Sequence, residues 1–124
     1  MLVVIAVGLG GMAGALARYG LDRLIEHHVL SVFPWSTFTI NATGCFIIGV
    51  VSAALVDRHH LPAWLRVGLV VGVVGGYTTF STFAQEALDL GEIHHVLVAA
   101  AYVVASVAVG ITAAYAGGVV GRQF

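Results

Sequence analysis

The sequence has no lysine, and its five arginines are offset by six acids. With no basic surplus there is no field to recruit nucleic acid, and no acidic tail is present. Charged residues of both signs make up only 9% of the chain, where a soluble domain of this size carries about a quarter. So little charge cannot cover a surface facing water, and lipid is the expected solvent. Cysteine is nearly absent as well. The single thiol, Cys45, lies inside an apolar run, which excludes a disulfide framework and reads as a small buried hydrophobe. No carboxylate pair, nucleophile elbow or metal-ligand spacing appears, which argues against an enzyme.

What remains is mostly apolar: 60% hydrophobic residues and a mean hydropathy of +1.02. A membrane span needs about twenty predominantly apolar residues. Four segments meet that length, at residues 2–21, 35–56, 62–90 and 96–120, with the polar residues falling between them. The expected fold class is therefore an all-α membrane protein with four transmembrane helices in a single domain. The opening MLVVIAVGLGG lacks a basic n-region, and Ala15-Leu16-Ala17 only loosely resembles a cleavage site. It reads as the first span, not as a removable signal. Pro34 breaks the first connection, and Pro62 suits the first turn of the third helix.

The third segment is too long to be an ordinary span. About 28 helical residues reach roughly 42 Å, well beyond a hydrocarbon core of about 30 Å. Its middle reads Gly75-Gly76-Tyr77-Thr78-Thr79-Phe80-Ser81-Thr82-Phe83. Two glycines followed by β-branched and hydroxyl residues make a poor helix interior. The expectation is an unwound stretch in mid-membrane, tolerable only where protein or a polar cavity meets its backbone groups. Broken helices of this kind hold ion sites in transporters and channels.

Individual motifs carry competing readings. Gly8-Leu9-Gly10-Gly11-Met12-Ala13 imitates a dinucleotide fingerprint, but a membrane-length apolar segment follows it in place of a soluble sheet. The four-residue spacing of Gly10 and Gly14, and of Gly68, Gly72 and Gly76, fits close helix packing in lipid. The pairs His27-His28, His59-His60 and His94-His95 fall at predicted membrane edges. Adjacent helical residues do not share a face, so interfacial solvation is favoured over a chelate. Arg18 follows an uninterrupted apolar stretch; it either snorkels to the interface or faces an aqueous vestibule and attracts anions. Asn41 shares a face with Thr37 and is either interhelical glue or a donor to a passing anion. Phe80 and Phe83 stand three apart, as core or as a pair of positive ring edges. Ser81 and Thr82 add hydroxyl donors between them, and Tyr102 with Ser106 could continue a polar track.

Together these residues resemble a known family. Gly11-x-x-Gly14-Ala15-x-x-Arg18-Tyr19, then Thr37-x-x-x-Asn41-x-x-Gly44-x-Phe46, then Gly75-Gly76-x-Thr78-Thr79-Phe80-Ser81-Thr82-Phe83 is similar to the CrcB/Fluc fluoride channels over the whole chain. The resemblance implies an antiparallel, dual-topology homodimer with two pores, exporting fluoride passively across the bacterial cytoplasmic (inner) membrane to relieve fluoride toxicity. It implies a structural Na⁺ at the dimer centre, held by the backbone carbonyls of Gly75 and Thr78. Phe80 and Phe83 become the stacked phenylalanines, Asn41 the pore amide, Arg18 the vestibule arginine. Ser81, Thr82 and Thr37 become hydroxyl ligands, and Tyr102 and Ser106 the polar track. Two positions depart from the pattern: Gly110 stands where relatives extend the track with a serine, and Ser36 where a glycine is usual.

Two other classes compete. A proton-coupled small multidrug transporter needs an embedded carboxylate; the first span has none before Asp22, and Glu86 is the lone acid deep in any span. A non-conducting assembly subunit would use the glycines and hydroxyls only as packing glue. Charge also bears on insertion. Arg58, Arg66 and Arg122 fall on one side of the expected topology and Arg18 and Arg23 on the other, too even a split for the positive-inside rule. Subunits are therefore expected to insert both ways up. Adding two or three lysines to one loop should force a single orientation, scored with reporter tags on the termini. A wild type whose tags already report one orientation contradicts the expectation.

Overall fold

A computed structural model describes residues 1–56 and 61–124. Asp57-Arg58-His59-His60, which include Arg58 of the orientation count and the second histidine pair, lie outside the described residues. Helix α1 covers Leu2–His28, continuing past the charges expected to end it. Those charges find local partners: Arg23 pairs with Glu26 at 3.2 Å, and His28 Nδ1 lies 2.8 Å from the Leu24 carbonyl. Helix α2 covers Trp35–Val56. The third segment begins with α3, Ala63–Val67, entered from Pro62. It widens into a π-helical stretch, Gly68–Val74, and narrows again into α4, Gly75–Tyr77. Helix α5, Phe80–Glu92, and helix α6, Val96–Gly121, complete the chain. There is no strand among the described residues. Four stretches are long and apolar enough to cross a membrane: Leu2–His28, Trp35–Leu55, Ala63–Glu92 and Val96–Gly121.

The third segment does break, but later than the glycines suggest. Gly75 and Gly76 are helical. The helix ends at Thr78 and Thr79, whose backbones are extended at φ −80°, ψ 159° and φ −147°, ψ 117°. Gly76 serves a different purpose, close approach to α1. A Cβ on Gly76 would stand 2.6 Å from the Gly11 carbonyl, and one on Gly10 would stand 2.6 Å from the Gly68 carbonyl. Four residues overshoot a 3.6-residue turn by about 40°. The wider π turn offsets that drift and keeps Gly68, Gly72 and Gly76 on the face that meets α1.

Helices α2 and α6 pack against each other by the same device. Gly49 lies against the Ala114 carbonyl, Gly117 against the Phe46 carbonyl and Gly121 against the Val50 carbonyl, each too close for a side chain. Little else among the described residues is covered. Only 6% of the most apolar 18-residue window of α1 and 22% of that in Ala63–Glu92 are buried, so most apolar surface is left for lipid or another copy.

These contacts make a graded prediction. Gly14→Leu drives a side chain into the Val73 carbonyl and the Tyr77 amide and should cost about 1–3 kcal/mol or more. Gly8→Ala and Gly20→Ala meet nothing within 4 Å and should be neutral or stabilise by up to about 1 kcal/mol. Thermal unfolding in detergent checks the order; equal midpoints for all three would contradict the packing.

Candidate anion site at the helix break

A helix that stops in apolar surroundings strands backbone donors and acceptors. One side chain of α2 meets both stranded groups of Thr79. Asn41 Nδ2 donates to the Thr79 carbonyl at 2.9 Å, and the Thr79 N–H donates to Asn41 Oδ1 at 2.9 Å. Thr79 then caps α5: its Oγ1 accepts from the Thr82 N–H at 3.3 Å and lies 2.9 Å from Thr82 Oγ1. Thr78 Oγ1 turns back to donate to the Val74 carbonyl at 3.2 Å.

The break leaves the carbonyls from Gly75 to Thr78 without their helical donors, and the closure accounts for the first and last of them. In an unbroken helix the Thr79 N–H would bond the Gly75 carbonyl, and the Thr82 N–H would bond the Thr78 carbonyl. Here those donors go to Asn41 and to Thr79 Oγ1 instead. Gly75 is exposed on the single subunit and Thr78 half-exposed. Two freed, hard carbonyl oxygens on an open face suit an alkali cation in kind.

Beside the break lies a cavity of about 410 Å³ lined by Asn41, Cys45, Thr79, Phe80, Phe83 and Ser106, among others. Among the described residues that line it there is no ionisable group apart from the Cys45 thiol. The Phe80 and Phe83 rings lie 5.6 Å apart at 46°. Phe80 is 80% exposed in the single subunit, so the cavity is open on the side that a second copy or lipid would cover. Ser106 Oγ is buried without a hydrogen-bond partner among the described residues. Asn41 commits one Nδ2 hydrogen to Thr79, and an amide has two. Among the described residues, the cavity thus holds two uncommitted donors.

A second cluster centres on Glu86, a residue outside the expected pore set. Glu86 on α5 accepts from Thr37 Oγ1 at 2.8 Å and from Tyr102 Oη at 2.6 Å. Thr37 and Tyr102 are almost wholly buried, at 2% and 0% exposure. Each hydroxyl carries one proton, and both protons are spent on the carboxylate. Tyr102 also lies 5.1 Å from Phe83, which joins the two clusters.

The predicted site residues therefore divide. Asn41, Phe80, Phe83, Ser106, Gly75 and Thr78 surround one cavity. Thr37 and Tyr102 stand beside it on Glu86. Ser81 and Thr82 are exposed on the first turn of α5, both near Thr79 Oγ1. Arg18 lies apart, half-buried on α1. Thr79 and Glu86 were missing from the predicted set. Thr79, a threonine just ahead of a helix start, carried an N-cap signal; Glu86 was legible as the lone acid deep in an apolar span, a turn before Asp89.

The two departures from the family pattern find partners of their own. The Ser36 hydroxyl donates to the Asp22 carboxylate and ties α2 to α1. A Cβ on Gly110 would press on Cys45 Sγ at 3.4 Å, so a bulkier residue there would compete with the cysteine.

Residues 5–118 match the family model described as CrcB-like protein, Camphor Resistance (CrcB). Relatives match over nearly the whole chain. The Fluoride-specific ion channel FluC of Acidobacterium capsulatum is 44% identical over 119 residues, 94% of each chain. The Fluoride-specific ion channel FluC 1 of Nitrobacter hamburgensis is 42% identical, covering 92% of this chain and 90% of its own. The Fluoride-specific ion channel FluC 2 of Geobacillus kaustophilus is 40% identical, covering 94% and 90%.

The Asn41 closure is testable on stability alone. Asn41→Ala leaves the Thr79 N–H and carbonyl unpaired, at about 1–3 kcal/mol for each group. The unfolding midpoint in detergent should fall clearly. A midpoint equal to wild type would mean that the break is held by something else.

Proposed function

The chain belongs to the CrcB family, and on that premise we propose that it is a fluoride-selective channel that lets F⁻ leave the cell passively. It is a multi-pass membrane protein of an ion-channel family and not an enzyme. The single observation that carries the reading is the cavity beside the broken helix, where paired phenylalanine rings face uncommitted neutral donors.

Fluoride is small and strongly hydrated, so a path must replace its water without trapping it. A buried cation would hold the ion too tightly, whereas conduction needs several weak sites. The second amide hydrogen of Asn41 and the Ser106 hydroxyl supply donors without charge. The rims of the Phe80 and Phe83 rings carry the positive part of the aromatic quadrupole. Phe80 and Phe83 then line the dehydrated stretch, with Asn41 at its entrance. Larger chloride fits such a space poorly. Arg18 raises the local anion concentration from a vestibule, and Thr37, Tyr102, Ser81 and Thr82 provide hydroxyls along the route.

A second copy completes the assembly. The exposure of Phe80 and Gly75 supports an interface over the break, and the even arginine split supports antiparallel subunits. Such a homodimer has two pores. The Gly75 and Thr78 carbonyls of each copy would hold a structural Na⁺ between them, giving the interface a fixed positive charge. The bacterial relatives support a place in the cytoplasmic membrane, where passive export relieves fluoride toxicity.

Fluoride efflux from proteoliposomes, followed with an F⁻ electrode, tests the reading. Wild type should release F⁻ and retain Cl⁻. Removing about 1.4 kcal/mol of stabilisation from the dehydrated ion slows passage about tenfold, so Phe80→Ile or Phe83→Ile should cut the rate at least that far. A wild type that passes no F⁻ under any gradient overturns the function. Unchanged flux in both variants overturns the role of the rings.

A further inference from the structure

The rings that frame the cavity do not end at Phe83. Phe83 lies 5.1 Å from Tyr102, and Tyr102 lies 5.3 Å from Phe33. Phe33 in turn meets Trp35 at 4.6 Å and Phe38 at 5.5 Å. An unbroken file of aromatic contacts thus runs from the helix break to the connection between α1 and α2.

Phe33 belongs to no helix, yet its place is fixed on both sides. Its N–H donates to Ser31 Oγ at 3.1 Å, and its carbonyl accepts from the Trp35 N–H at 2.8 Å. Its ring stands almost perpendicular to that of Tyr102, at 82°. This is the edge-to-face arrangement that aromatic pairs favour. A tyrosine hydroxyl goes where its ring plane goes, because the phenol is rigid. Tyr102 has no exposed surface, and its hydroxyl reaches Glu86 at 2.6 Å.

We propose that Phe33 is a positioning residue of the permeation path: its ring fixes Tyr102 so that the phenol hydroxyl stays on Glu86. The inference rests on the channel reading above. Glu86 has two hydroxyl donors, Thr37 and Tyr102. Losing one leaves part of a carboxylate's charge unmet, on the residue to which Tyr102 links the cavity-lining Phe83. Unmet negative charge there repels an anion. A residue of the connecting loop thereby sets the rate through a group that it does not touch.

The test is fluoride efflux from proteoliposomes with Phe33→Leu and Phe33→Met, which remove the ring, and Phe33→Tyr and Phe33→Trp, which keep one. Phe33→Met retains much of the volume, so the comparison survives if the leucine variant fails to fold. The ring-lacking variants should slow about two- to tenfold, the scale of one aromatic pair, while the ring-retaining variants conduct at the wild-type rate. Each is repeated in a Tyr102→Phe background, where no hydroxyl remains to be positioned and Phe33→Leu should subtract nothing further. Wild-type flux in the ring-lacking variants overturns the inference. So does an equal fractional loss in both backgrounds, which would mean that Phe33 only packs the loop. Should Tyr102→Phe conduct nothing, ring-retaining against ring-lacking variants decides. A silent wild type overturns the channel reading instead, and needs no variant to be seen.

Discussion

The Asn41 carboxamide replaces two helical hydrogen bonds at once, and the arrangement of the third segment follows from it. Thr79 presents a donor and an acceptor that no helix claims, and a planar amide presents the complementary pair at 2.9 Å on each side. Without that partner the break would strand backbone groups in an apolar setting, at several kcal/mol per group. With it, the chain can stop, extend through Thr78 and Thr79, and restart as α5 in a new direction. The same α2 face seats the break from below. Gly44, three residues after Asn41, lies directly against the Thr78 methyl group, where a side chain would displace it. Position, direction and capping of α5 thus depend on one short stretch of α2.

The glycines act on the other side of the segment. Gly10 and Gly14 of α1 meet Gly68, Gly72 and Gly76 backbone to backbone, and the π turn holds the latter three in line. An element gripped over that length cannot slide along its axis. The break therefore stays opposite Asn41, and Phe80 and Phe83 stay beside the cavity. Packing and chemistry are separate functions here, carried by neighbouring residues. Gly76 faces α1, while Gly75 next to it is exposed with a carbonyl that has lost its helical donor.

Four apolar spans were legible because absent charge and segment length are global properties of the chain, insensitive to detail. The interrupted third segment was legible from its excess length and its hydroxyl run. Its position was not, because a glycine pair serves equally as a weak point in a helix and as a close-packing surface. Only the neighbour decides, and the neighbour is α1, more than fifty residues earlier in the sequence. The pairing of α2 with α6 through Gly49, Gly117 and Gly121 escaped for a related reason. Neither helix gathers its apolar residues on one side, so periodicity points to no packing face. At the site, residue types showed which groups can meet an anion but not which donors are already spent. Thr37 and Tyr102 looked free in the sequence, and each is committed to Glu86.

That commitment divides the polar residues by what an arriving ion would have to displace. Near Phe80 and Phe83 the donors are open: one amide hydrogen of Asn41 and the hydroxyl of Ser106. Near Glu86 each hydroxyl proton already faces a carboxylate, through charge-assisted bonds of the stronger kind. On the channel reading, an anion is welcomed in the first region and must compete for protons in the second. Fluoride, compact and a strong hydrogen-bond acceptor, competes with a carboxylate far better than chloride does. Selectivity then has two independent sources. Size acts where the rings close in, and acceptor strength acts where the hydroxyls are engaged. Neither requires a buried cation that would hold the ion in place.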